Sequence, residues 1–173
     1  MTDSKVSAIP IPLAARANCG LADVNFADAY CGQTSGGLRS GAHPSAEQAG
    51  RAIFENPPRI AVLLMALRGF VVKRFGLKTE RELGAVPEQG RIGIFPIVSV
   101  AERELVIGLD DKHLDFRIWI SVQESSSDAR ITMTTLIHFN NVFGKLYLFT
   151  ILPFHILLTR MMLKRALVRL GRS

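Results

Sequence analysis

Between Arg91 and Phe139 apolar residues return at every second position, the spacing of a strand with one face buried. Ile92, Ile94, Val98 and Val100 make one run, and Leu105, Ile107 and Leu109 a second. Leu114, Phe116, Ile118 and Ile120 make a third, and Ile131, Met133, Ile137 and Phe139 a fourth. Four strands in meander order are the economical arrangement. Opposed residues of an antiparallel pair share a face, which tests the register. A tight turn through Asp110 to His113 sets Leu109 opposite Leu114, Ile107 opposite Phe116 and Leu105 opposite Ile118. A loop of Ser125 to Asp128 sets Asp115 opposite His138, Arg117 opposite Leu136 and Trp119 opposite Thr134. Apolar side chains meet on one face, and a polar row of His113, Asp115 and Arg117 lies on the other.

Outside this region the pattern changes. Residues 1–19 contain Pro10 and Pro12 among small side chains and read as a flexible lead-in; residues 20–173 read as a single domain. From Leu21 to Tyr30 an edge strand or extended arm is expected, against which Asp23 and Asp28 weigh, and Gly32 to Pro44 is a surface loop. Ser45 and Gln48 have capping-box spacing, which predicts a short helix to about Glu55, stopped by Pro57 and Pro58. A second helix is predicted from Pro58 to Gly76, with Ile60, Leu63, Leu64, Leu67, Val71 and Val72 on its apolar face, followed by a linker over 78–90. Asn140 or Asn141 caps a last helix running to about Leu170, in which Pro153 predicts a kink and a freed carbonyl at Phe149. Its uncharged run between Lys145 and Arg160 is short for a bilayer core of about 30 Å, so no transmembrane segment is expected. A helix this apolar calls for near-complete enclosure, and the sheet is the partner large enough to supply it.

Composition narrows the function classes only modestly. The 173 residues are 48% hydrophobic and 21% charged, a globular profile rather than a disordered one. A net charge of +6 raises nucleic acid or an anionic membrane as partners, but acids are interspersed with bases through the strands, so no nucleic acid is expected. The basic run Arg160, Lys164, Arg165, Arg169 and Arg172 fits a solvated helix C-terminus. Two isolated cysteines, Cys19 and Cys31, and an opening stretch without a signal-peptide core point to the cytoplasm.

Candidate chemistry concentrates in two places. His113, Asp115 and Arg117 share a strand face with His138, where a His–Asp pair orients a base or forms a surface ion-pair network. Metal-ligand spacing is missing beyond His113 and Asp115, so no metal and no cofactor are expected. His155, just after Pro153, is a lone histidine on an apolar helix: either a hydrogen-bonded core residue or the polar handle of a pocket. If the protein is an enzyme, His155, His138, Asp115 and His113 are its acid–base candidates; a ligand site would use His155, Arg117, Trp119, Tyr147 and Asn140. Phosphate-loop, dinucleotide and serine-nucleophile patterns are absent from the sequence.

Short N-terminal helices, an antiparallel meander and a long C-terminal helix describe an α+β helix-grip fold, a curved antiparallel sheet wrapped around the helix. The stretches LRGFVVKRFGLK (Leu67 to Lys78), GIFPIVSVAERELVIGLDDKHLDFRIWI (Gly93 to Ile120) and TTLIHFNNVFGKLYLFTILPFH (Thr134 to His155) resemble a bacterial domain-of-unknown-function family of the START-like, or SRPBCC, superfamily. The resemblance covers about Ala22 to Leu167 and rests on Asp111, His113 to Arg117, Thr135, Asn140, Gly144 and the triplet Pro153, Phe154, His155; Ile156 stands where the family often has Arg. It implies a cavity and carries no established reaction. The first expectation is a small hydrophobic ligand bound between helix and sheet. A cyclase or isomerase using His and Asp, and an interaction or homodimer module built on the polar face with Trp119 and Leu136, are the alternatives.

Overall fold

The computed structural model describes residues 5–34, 43–55, 90–125 and 128–171. The fold is α+β: a seven-stranded, open antiparallel sheet with a long C-terminal helix packed against it. Its strands are β1 (Val6–Ala8), β2 (Phe26–Gln33), β3 (Arg91–Ile92), β4 (Phe95–Val100), β5 (Glu104–Leu109), β6 (Leu114–Ser125) and β7 (Asp128–Phe139). They lie in the order β1-β2-β7-β6-β5-β4-β3. Three helices accompany them among the described residues: α1 (Leu13–Asn18), α2 (Ala46–Phe54) and α3 (Val142–Leu170). The expected helix from Pro58 to Gly76 and nearly all of the 78–90 linker lie outside the described residues.

The β6–β7 register matches the expectation, with Asp115 opposite His138, Arg117 opposite Leu136 and Trp119 opposite Thr134. The β5–β6 register is shifted by two residues: Leu109 faces Phe116, Ile107 faces Ile118 and Leu105 faces Ile120. Leu114 and Asp115 therefore pair only with β7, because the Asp110–His113 connection is wider than a tight turn and is closed by Asp115 accepting from the Asp111 amide at 2.9 Å. The run from Ile92 to Val100 is two strands, β3 and β4, folded back on each other at Gly93. That glycine has φ +59°, a left-handed conformation that L side chains rarely adopt.

The N-terminal residues differ most from expectation. In place of a loose lead-in, β1 forms the sheet edge and α1 lies across the sheet, so β2 is the second strand and not an edge. Ala15 and Cys19 pack on Val106, Trp119 and Leu136, with Leu21 and Val24 around them. This segment shields the side of the sheet that carries the polar row.

The opposite side holds the main core. Ser45 and Gln48 form the expected capping box at the start of α2, and Ala46, Ala49, Ile53 and Phe54 pack on the sheet's apolar face. Leu163, Ala166 and Leu167 of α3 join Tyr30, Ile120, Ile131 and Met133 in the same core. Full burial of a leucine is worth about 1.5–3 kcal/mol, so the last turns of α3 anchor it firmly. Arg169 adds a tie by donating Nη1 to the carbonyls of Ala52 (3.3 Å) and Glu55 (3.2 Å) at the end of α2. Enclosure is one-sided, however. Leu148 is buried with Leu114 and Ile137, while Leu146, Phe149 and Leu157 face outward, 60%, 58% and 53% exposed.

At the start of α3, a Cβ on Gly144 would overlap the carbonyl oxygen of His113, so the helix begins in direct backbone contact with the β5–β6 connection. Gly144→Ala should destabilise the protein by about 2 kcal/mol or more, read by urea denaturation, although alanine favours a free helix by about 0.8–1.0 kcal/mol. A stabilising Gly144→Ala would contradict this close approach.

Candidate functional site

The polar row resolves into structural joints. His113 leads into β6, where its Nδ1 lies 3.1 Å from Asn141 Oδ1 and its ring stands edge-on to Phe143. Asn141 caps α3 by accepting from the Gly144 amide at 3.2 Å, and its own amide donates to the Lys112 carbonyl at 2.9 Å. Asn140 donates Nδ2 to the Asp111 carbonyl (2.7 Å) and to Asp115 Oδ1 (3.0 Å). Asp111, His113, Asp115, Asn140 and Gly144 thus lock the β5–β6 connection to the first turn of α3. Asn140, proposed from sequence as a ligand contact, is committed to this lock.

Further along the same face, Arg117 is buried and donates Nη1 to Asp110 at 2.6 Å. Trp119 donates Nε1 to Glu104 at 3.2 Å, an acceptor shared with Asn18 of α1 at 2.8 Å. His138 stands opposite Asp115 as expected, yet no hydrogen bond joins them, and its buried Nδ1 has no partner among the described residues. A groove of about 480 Å³ opens between the N-terminal segment and this face, lined by Ile9, Pro12, Arg103, Trp119, Gln123 and Arg130. Arg130 there donates Nε to the Cys31 sulfur at 3.1 Å, a contact that raises its pKa.

The sheet's other face carries a second, separate polar group beneath α3. Strand β2 alternates so that Phe26, Asp28 and Tyr30 point with Ile137, Thr135 and Met133 toward the helix. His155 comes down from α3 to meet them, with Nε2 at 3.0 Å from Asp28 Oδ2 and 3.2 Å from Oδ1. Their side chains are 19% and 15% exposed, so the pair is sheltered but reachable. With a neutral imidazole donating Nε2–H to the carboxylate, Nδ1 is left as an acceptor. Thr135, opposite Asp28 in register, is buried, and its hydroxyl has no hydrogen-bond partner among the described residues. Burial pushes the Tyr30 phenol above its ordinary pKa of 10.0; the charge of Asp28 and a hydrogen bond to it add to the rise, and Arg160 opposes it.

The residues proposed from sequence therefore do not form one site. His155 and Tyr147 lie on the helix side, Tyr147 packed beside Leu148 and Ile137; Arg117, Trp119, Asp115 and His138 face the other way. Asp28 was the missed residue. Its signal was present, since an acid alternating with Phe26 and Tyr30 on a buried strand face requires a partner, and a histidine on an apolar helix requires one too. No group of three His, Cys, Asp or Glu side chains placed to hold a metal occurs among the described residues.

The family described as "Protein of unknown function (DUF2867)" matches residues 21–162. Neither the curated proteins nor the solved structures provide a match.

The raised Tyr30 pKa has a stability consequence. Folding favours the neutral phenol; that contribution is present in full below pH 10 and is lost as pH climbs through the folded-state value. Denaturation curves taken across the alkaline range should show wild-type stability falling more steeply above pH 10 than that of Tyr30→Phe. Parallel curves would contradict the placement of Tyr30 beside Asp28.

Proposed function

We propose that this chain, which belongs to the DUF2867 family, binds a small, mainly apolar molecule between α3 and the sheet, with the His155–Asp28 pair and the Thr135 hydroxyl as its polar anchors. The observation that carries this reading is the Thr135 hydroxyl, buried in register with Asp28 and without a hydrogen-bond partner among the described residues. Binding sites are typically apolar with a few placed polar groups, and a buried hydroxyl lacking a partner costs about 1–3 kcal/mol unless something satisfies it. The ligand expected is an amphiphile with one hydrogen-bonding group at the end of an apolar body. Relation to the START-like, or SRPBCC, superfamily belongs to the same proposal, supported by the antiparallel sheet with its long C-terminal helix.

A second reading, acid–base isomerisation or cyclisation, draws on the same His155–Asp28 pair, now beside a phenol of raised pKa. It requires that a bound compound be recovered chemically altered, and that Asp28→Asn abolish the change. Homodimerisation through Trp119 and Leu136 receives no such support, because both side chains are buried under the N-terminal segment.

Thermal-shift titration with long-chain alcohols, fatty acids, sterols and quinones tests the binding reading. A true ligand at a hundred times its Kd should stabilise the protein by about 2.7 kcal/mol. Thr135→Val should leave the free protein as stable or more stable, while weakening the ligand roughly tenfold, about 1.4 kcal/mol. His155→Leu should weaken it similarly. A panel without any shift, or a ligand indifferent to both substitutions, would overturn the assignment.

A further inference from the structure

Beyond the ligand site, α3 presents a second surface on its outer side. Val142, Leu146, Phe149, Pro153 and Leu157 follow one another at three- and four-residue intervals and form one line along the helix, all exposed. Phe143, Phe154 and Ile156 widen the line into a band of aromatic and aliphatic side chains. The same line continues into Arg160 and Lys164, with Arg165 alongside and Lys145 near the helix start. The helix contains no acidic residue over its 29 positions.

Such a band needs an occupant, and the charges select one. A second copy of the chain would set this helix against itself, bringing cations together with no carboxylate on either helix to answer them. An anionic lipid surface supplies apolar depth for the aromatic band and phosphates for the flanking cations. Length and composition also mark α3 as the one helix among the described residues apolar enough to cross a bilayer, with a mean hydropathy of 1.6 over 18 residues of which 17% are buried. Two features favour a helix lying in the membrane plane over one that spans it. The uncharged stretch from Leu146 to Thr159 is about 21 Å long at about 1.5 Å per residue, short of a core of about 30 Å. The inner side, at Leu148, Thr159 and Leu163, is buried against the protein.

We propose that the exposed band of α3 docks this protein on anionic membrane surfaces, its N-terminal half inserted at the headgroup–acyl boundary and Arg160, Lys164 and Arg165 on lipid phosphates. This inference stands independently of the ligand site.

The test is co-sedimentation of the full chain with vesicles of phosphatidylcholine alone or mixed with phosphatidylglycerol, alongside analytical ultracentrifugation without lipid. Binding is expected only to the phosphatidylglycerol vesicles and should weaken with salt. Leu146→Glu with Phe149→Glu should reduce partitioning about tenfold or more without lowering the Tm measured in the absence of lipid, and Arg160→Gln with Lys164→Gln should reduce it roughly tenfold. A Phe149→Trp reporter should shift its emission to the blue on the anionic vesicles. Equal binding to both vesicle types, or no binding, overturns the proposal. So does a concentration-dependent dimer that Leu146→Glu dissociates, which would assign the band to a second copy. A fall in Tm for the glutamate variants without lipid would likewise overturn it, by showing that the chain covers the band itself.

Discussion

The unbroken antiparallel pairing of β6 with β7, from Leu114 opposite Phe139 to Ser125 opposite Asp128, is the constraint on which the rest of the structure depends. Side chains alternate across a strand, so this one register sorts the centre of the sheet into two faces. Leu114, Phe116, Ile118, Ile120 and Val122 align with Phe139, Ile137, Thr135, Met133 and Ile131 on one side. Asp115, Arg117 and Trp119 align with His138, Leu136 and Thr134 on the other. Helices α2 and α3 take the first side and α1 the second. A slip of one residue would exchange the two environments, placing Arg117 under the long helix.

A second constraint fixes where α3 starts. Asn140 and Asn141 tie the β5–β6 connection to the helix cap, and Gly144 allows the His113 carbonyl to sit against the first turn. The far end is held by Leu163, Ala166 and Leu167 in the core and by Arg169 on the carbonyls of α2. With both ends located, His155 is set over β2, within hydrogen-bonding distance of Asp28. The residues that attract attention in the sequence as a catalytic row thus serve as the joint that positions a different pair.

How far this was legible in the sequence follows from what each pattern encodes. The β6–β7 register was legible because apolar and polar sets both had to meet. The β5–β6 register was not, since a shift of two residues leaves every side chain on its original face and the alternation is blind to it. Ile92 and Ile94 looked like one strand because alternation cannot register the reversal at Gly93, which depends on a positive φ. Strand β1 and helix α1 lacked periodicity around Pro10 and Pro12; they form through pairing with β2 and burial of Ala15 and Cys19, contacts invisible to local pattern. For α3, mean hydropathy correctly gave an apolar helix, but a near-zero contrast between its sides gave no direction, so enclosure was expected where half of the helix is bare. His155 stood out as a polar residue in apolar surroundings. Asp28 did not, because an acid in a candidate strand weighs against the strand until its partner is known.

The most direct test of this account is a double-mutant cycle on Asp28→Ala and His155→Ala, measured by equilibrium denaturation. If α3 lies on the apolar face with His155 over β2, the two substitutions should be coupled by about 1–3 kcal/mol. Losses that simply add, to within about 0.5 kcal/mol, would contradict the placement of the helix and with it the site beneath it.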